Sequence, residues 1–189
     1  MCSDLMNLER DIKQLERNGV DYLHVDVMDA HFVPNLTFGV DFIAAMHRVT
    51  KLPLDIHLMV EHPLPIMEAM DIRPGDRISL HVELGEQLHE LAKAVRARGA
   101  QFGLVVNPST PVEALTPYLD EIEWVILMLV QPGFAGAKLI DGILDKVAAA
   151  RRFLDEHGHP ETEISVDGSV SCERARLMRD MGASIFVGG

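Results

Sequence analysis

Seven short apolar runs recur along this chain of 189 residues, and the segments between them carry the spacing of amphipathic helices. The runs begin at Asp21 (DYLHVDVM), Leu52 (LPLDIHLMV), Arg77 (RISLHVE), Phe102 (FGLVVN), Trp124 (WVILMLV), Glu163 (EISVDG) and Ser184 (SIFVGG). A strand that is apolar on both faces must be covered on both faces, which is the mark of a parallel sheet wrapped in helices. The helical segments are LMNLERDIKQLERNG, DFIAAMHRVT, EQLHELAKAVRARGA, PVEALTPYLDEI, DGILDKVAAARRFLDEHG and SCERARLMRDMGA, several of them stopping at glycine. Strand–helix alternation leaves two architectures, an open doubly wound sheet or a closed (β/α)8 barrel.

The polar residues within the runs favour the barrel. His24, Asp26, His57, His81, Asn107 and Asp167 stand in or at the C-terminal ends of five or more different strands, where a barrel gathers its functional side chains. No GxGxxG follows the first run, which argues against a dinucleotide fold. Seven strands are visible where the barrel needs eight. The chain opens in what reads as the loop and helix after a first strand, and it stops at Gly189 within or just after the last one. The expected fold is therefore an α/β TIM barrel lacking its first strand and last helix. One domain spans residues 1–189, incomplete at both ends, with no linker or low-complexity stretch.

The formal net charge of −12 excludes a nucleic-acid backbone as partner, because neutralising phosphates needs a basic face. It leaves room for a small phosphorylated substrate, since main-chain N–H groups bind phosphate without basic side chains. Two cysteines, Cys2 and Cys172, make neither a disulfide framework nor a cysteine zinc site. No signal peptide or membrane-length apolar run is present, so the expectation is a cytoplasmic domain.

His24 and Asp26 lie two apart on one strand and share a face. His57 occupies the equivalent depth of the next strand, and Asp167 ends a later one. Imidazole and carboxylate suit zinc, iron, cobalt or manganese, and buried carboxylates need a cationic partner. Any one histidine would read as a packed core residue; jointly, His24, Asp26, His57 and Asp167 point to one divalent ion. Glycine clusters follow the last three strands: GFAG (Gly133, Phe134, Ala135, Gly136), then Gly168 with Ser169, then Gly188 with Gly189. In a barrel these loops form a phosphate site. Met28, Met59 and Met128 read first as core filling, Asp29 and Asn35 as loop-fixing groups, and His81 and Glu83 as supporting or packing groups. His47, His62, His89, His157 and His159 read as solvated.

The strings HVDVMDAHFVPN, LDIHLMV, LVVNPSTPVE, MLVQPGFAG and SVDGS, in this order from end to end, resemble the ribulose-phosphate 3-epimerase family. The resemblance implies a (β/α)8 barrel with one divalent metal, zinc before iron, cobalt or manganese. It implies His24, Asp26, His57 and Asp167 as ligands, with Asp26 and Asp167 also the paired acid and base. Substrate and phosphate contacts would come from His57, Gly133 to Gly136, Gly168, Ser169 and Gly189, with Met28, Met59 and Met128 crowding beneath. The implied reaction is inversion at C3 of a ketose phosphate, ribulose 5-phosphate to xylulose 5-phosphate, through an enediolate. A small phosphorylated ketose and further copies of the same chain are the expected partners, with no nucleic acid and no membrane. PGFAG, VDGS and MCSDL depart from the commoner PGFGG, VDGG and LSADF, and look more like the allulose-6-phosphate 3-epimerase branch. Two other readings stand beside these. A related decarboxylase barrel carries a strand Asp-x-Lys pair that is missing from the visible strands, and an inactive sugar-phosphate-binding fragment is the reading of another class.

Overall fold

The computed structural model describes residues 3–188. It contains seven strands, β1 (Leu23–Met28), β2 (Leu54–Met59), β3 (Arg77–His81), β4 (Gln101–Val106), β5 (Trp124–Met128), β6 (Glu163–Asp167) and β7 (Ile185–Val187). All neighbours are parallel and the spatial order is the chain order. The six α-helices are α1 (Leu8–Arg17), α2 (Val40–Val49), α3 (Pro63–Ala69), α4 (Leu88–Arg96), α5 (Asp145–Glu156) and α6 (Cys172–Asp180). The sheet curls far enough to bring His24 of β1 within 3.7 Å of Asp167 on β6. Among the described residues β1 and β7 each pair on one side only. Gly189, which the glycine reading included, lies outside the described residues.

Alternation along each strand divides the side chains between two cores. Val25, Val27, Ile56, Leu58, Ile78 and Leu80 face outward into the layer beneath the helices. Residues in the opposite phase point into the curl, where Val105, Trp124, Ile126, Met128 and Val130 form a second cluster. Trp124 fits there because Gly103 stands beside it. A Cβ at Gly103 would come within 2.5 Å of the indole. Below that layer the Arg77 guanidinium lies over the Tyr22 and Trp124 rings and binds Gln101 and Glu163.

Two segments differ from the sequence reading. PVEALTPYLDEI is a 3₁₀ helix over Val112–Glu121, not an α-helix. Pro117 lies inside it, and the buried residues Val112, Leu115 and Tyr118 recur every third position, the period of a 3₁₀ turn. Helix α3 is additional to the helices read from sequence. It is only seven residues long and starts on Pro63, whose missing N–H costs nothing at a first helical position. No helix among the described residues is long and apolar enough to cross a membrane.

Candidate metal centre

The strand register builds the centre. β1 carries His-x-Asp and β2 carries Asp-x-His, paired so that His24 lies opposite Asp55 and Asp26 opposite His57. All four point into the curl, so each imidazole has a carboxylate across the ladder and another along its own strand. Asp167 completes the group from β6, whose last pair is Met128 with Asp167. His24 Nε2 and His57 Nδ1 each lie 3.3 Å from Asp26 Oδ1, and they lie 3.7 and 3.8 Å from Asp167 Oδ2.

These spacings fit a metal ion. Ligand atoms about 2.1 Å from a tetrahedral centre stand roughly 3.4 Å apart. One donor atom from each of the four residues lies within 4.8 Å of all the others. His24 Nε2 and His57 Nδ1, the nitrogens facing the group, are buried and make no well-formed hydrogen bond within the protein. Buried polar atoms normally find a partner, and two lone pairs beside two carboxylates are the donor set of a divalent cation.

Electrostatics sharpen the picture. Burial opposes charge on His24, yet Asp55 and Asp26 outweigh it and carry the imidazole well above its ordinary value. Burial also works against the Asp26 charge, but contacts with His24 and His57 hold that carboxyl far below the usual carboxylate range. Asp167 moves the other way: burial raises it and the Asp26 charge adds to the rise, against the pull of the imidazoles. Behind the group, burial lowers His81 to about 4, so that ring is neutral near pH 7. Burial would raise Glu83, but His81 and Thr110 hold it at about 2.

The centre opens on a cavity of about 1160 Å³ between the mouth loops and the β1 and β7 edges. Asp26, Asp167, Met28, Met59 and Met128 line it, as do Gly133, Phe134, Ala135, Gly136, Gly168 and Ser169. His57 does not; its ring is fully buried behind Asp26, a position that suits a metal ligand more than a direct substrate contact. Gly168 takes φ +106, and a Cβ there would meet Val130 at 2.5 Å. Ser169 follows with φ +53, a left-handed shape unusual for a side-chain-bearing residue, and Arg174 Nη1 donates to its carbonyl and hydroxyl oxygens at 2.5 and 2.8 Å. Asn35 ties the first mouth loop to the glycine loop by donating to the Gly133 carbonyl at 2.7 Å. Asp29 accepts from the N–H groups of His31, Phe32 and Glu61, which fixes that loop.

Three features escaped the sequence reading. Asp55 is the hydrogen-bond partner of His24, at 2.8 Å from Nδ1; its place two residues before His57 was the available signal. Arg174 reaches the Ser169 turn from the first turn of α6, which no strand pattern announces. His47 is not solvated: it is buried against Asp76 at 3.2 Å, with Asp71 3.5 Å away. That contact joins α2 to the turn before β3, so only the tertiary structure reveals it.

Comparison with known proteins adds an independent line. The family model described as the ribulose-phosphate 3 epimerase family matches residues 1–189. A ribulose-phosphate 3-epimerase of Bacillus subtilis (strain 168) is 40% identical over 189 residues, covering 100% of this chain and 87% of that protein. One from Treponema pallidum (strain Nichols) is 39% identical, covering 100% and 86%. Among solved structures, a mutant tryptophan synthase alpha-subunit from Pyrococcus furiosus superposes with a TM-score of 0.67 at 15% identity, over 97% of this chain and 81% of that one. At that identity the likeness speaks for the barrel fold alone.

Proposed function

The chain belongs to the ribulose-phosphate 3-epimerase family, and from that premise we propose that it inverts the carbon next to the ketone of a pentose phosphate, interconverting ribulose 5-phosphate and xylulose 5-phosphate. The observation that carries this reading is the pair of carboxyl groups, Asp26 and Asp167, flanking one buried donor cluster at the edge of the cavity. Inversion removes a proton from one face of the carbon and returns one to the other. That requires two acid/base groups whose environments push their pKa values apart, and Asp26 and Asp167 are displaced in opposite directions.

Asp26 and Asp167 each take or give the proton, depending on the direction of turnover, with an enediolate between the two steps. His24, Asp26, His57 and Asp167 would hold a divalent ion, zinc before iron, cobalt or manganese. That ion supplies positive charge where negative charge builds on the substrate oxygens. Met28, Met59 and Met128 form an apolar bed at the mouth and exclude water from the reacting carbon. The phosphate group is assigned to the main-chain N–H groups of Gly133 to Gly136 and of Gly168 with Ser169, where glycine geometry exposes them. This gives an anion site to a chain of net charge −12.

Turnover of ribulose 5-phosphate in deuterium oxide tests the reading. The expected result is incorporation of solvent deuterium at C3 alongside xylulose 5-phosphate. Deuterium-free product, or no turnover with metal supplied, would overturn it. Ala135 and Ser169, which replace the commoner glycines of the family, favour a second reading in which allulose 6-phosphate is the better substrate. Comparing kcat/KM for the two ketose phosphates on one sample decides between them.

A further inference from the structure

The two histidines of the centre are supported by carboxylates along routes of different length. His24 Nδ1 meets Asp55 directly at 2.8 Å. A carboxylate can only accept, so Nδ1 carries a proton toward Asp55 and Nε2 is the nitrogen that faces the cluster. His57 presents the opposite nitrogen to the cluster, and behind it stands another imidazole. His57 Nε2 and His81 Nε2 lie 2.9 Å apart, with the rings stacked at 25°. Two neutral imidazoles at that distance share one proton, donated by one and accepted by the other.

Glu83 stands at the far end of this pair. Its Oε2 lies 3.4 Å from His81 Nδ1, close enough to favour a proton there although the contact is not a well-formed hydrogen bond. Thr110 donates its hydroxyl proton to the other carboxylate oxygen, so Glu83 is held in place from the β4 side. Phe32 packs on His81 at 4.6 Å between ring centroids and restricts its rotation. His57 Nδ1 faces Asp26 Oδ1 at 3.3 Å in the same way, so the choice falls to the cation: an ion bound at the centre would take the His57 Nδ1 lone pair, leaving the shared proton on His57 Nε2 and a His81 Nδ1–H turned to Glu83. With the proton on His81 Nδ1, His81 Nε2 is the acceptor and His57 Nε2 carries the shared proton.

We propose that Glu83 and His81 are positioning residues that hold the His57 imidazole as its Nε2–H tautomer, leaving Nδ1 free to bind a divalent cation. The inference rests on the reading that His24, Asp26, His57 and Asp167 hold such a cation. Metal-binding histidines generally owe their orientation to an outer partner of this kind. Here the partner is a relay through a second ring, so that the two imidazoles bind through different nitrogens, Nε2 of His24 and Nδ1 of His57.

The test is a long-range nitrogen–proton NMR correlation on zinc-loaded wild-type protein labelled with nitrogen-15 histidine, with zinc affinity measured in competition with a chromophoric chelator. The expected spectrum places the His57 proton on Nε2 and the His81 proton on Nδ1, and Glu83→Leu weakens zinc binding. His81→Phe weakens zinc binding by roughly 10- to 100-fold, while His81→Gln, whose amide oxygen can accept the same proton, recovers most of it. A zinc-loaded wild-type protein with the His81 proton on Nε2, or a His81→Gln defect as large as that of His81→Phe, would overturn the relay. If His81→Phe does not fold, the wild-type spectrum and His81→Gln decide. Zinc binding with the expected tautomer but no turnover of either ketose phosphate would sink the epimerase reading and leave the relay standing. Failure of wild-type protein to bind zinc would sink the cation reading beneath it.

Discussion

At the floor of the barrel the Arg77 guanidinium is fully provided for: it lies 4.3 Å from the Tyr22 ring centroid and donates to Gln101 at 2.7 Å and Glu163 at 2.8 Å. At the mouth, Asp26 and Asp167 lie beside two imidazoles whose facing nitrogens make no well-formed hydrogen bond. Both ends bury charge within one interior, and burial costs several kcal/mol for each ion unless geometry compensates. The floor meets that cost inside the protein, with a cation, an anion and two aromatic faces. The mouth gathers two carboxyl groups and two imidazoles within 4.8 Å of one another, a donor set that a cation from outside could share. An interior built for stability alone would treat both ends as it treats the floor. The contrast sets a structural charge against one proposed to work.

The sharpest way to break this contrast is at Asp167. Asp167→Asn keeps the shape of the side chain and removes its proton chemistry, so deuterium exchange at C3 should fall by about 10² to 10⁴-fold while circular dichroism stays that of wild type. Undiminished exchange would refute the acid/base assignment. Chelation comes next. Stripping divalent ions should reduce turnover to background and lower Tm, and zinc should restore both, because a ligand that binds only the folded state stabilises it. Turnover that survives exhaustive chelation would mean that the mouth is as self-sufficient as the floor. The floor has its own test. Arg77→Met should cost roughly 1.5–3 kcal/mol in urea unfolding, since it removes hydrogen bonds to Gln101 and Glu163, yet zinc affinity should remain that of wild type. A fall in both would show that the two ends are coupled. The smallest effect is pH-dependent. His81 is held neutral down to about 4, whereas an unfolded histidine takes up its proton near 6.5. The unfolded state thus binds more protons between those values, and stability should decline as pH falls from about 6.5 to 4. His81→Gln should flatten that slope; an unchanged slope would place its origin elsewhere.

How much of this was legible in the sequence differs between the same two regions. The seven strands stood out because a strand covered on both sides is written as an unbroken apolar run. His24, Asp26, His57 and Asp167 stood out because they interrupt such runs with ionisable groups. Arg77 gave no comparable signal: it begins a run, Gln101 immediately precedes another and Glu163 begins a third, so only the register with β4 and the curl of the sheet connect them. Asp55 was hidden in the same way, since its meaning depends on lying opposite His24. Helix α3 was obscured by two prolines in a seven-residue stretch, and the 3₁₀ period of residues 112–121 resembled an α-helical one over so short a span. His47 needed a contact between elements remote in sequence. Local chemistry was readable; pairing across strands was not.

The crossed His-x-Asp and Asp-x-His arrangement of β1 and β2 has a consequence for how the molecule reaches its native state. A slip of either strand by one residue would turn its polar pair out of the curl and bring Ile56 or Val25 in, because facing alternates with every residue. Such a misaligned chain could still bury apolar surface and still look like a barrel, but it would not assemble the four donors. Cation uptake at the proposed centre would then act as a checksum on assembly: only molecules whose strands have closed in the correct alignment would load the ion, and loading would draw the population toward that alignment. The residues assigned to the chemistry would thereby also proofread the architecture that presents them.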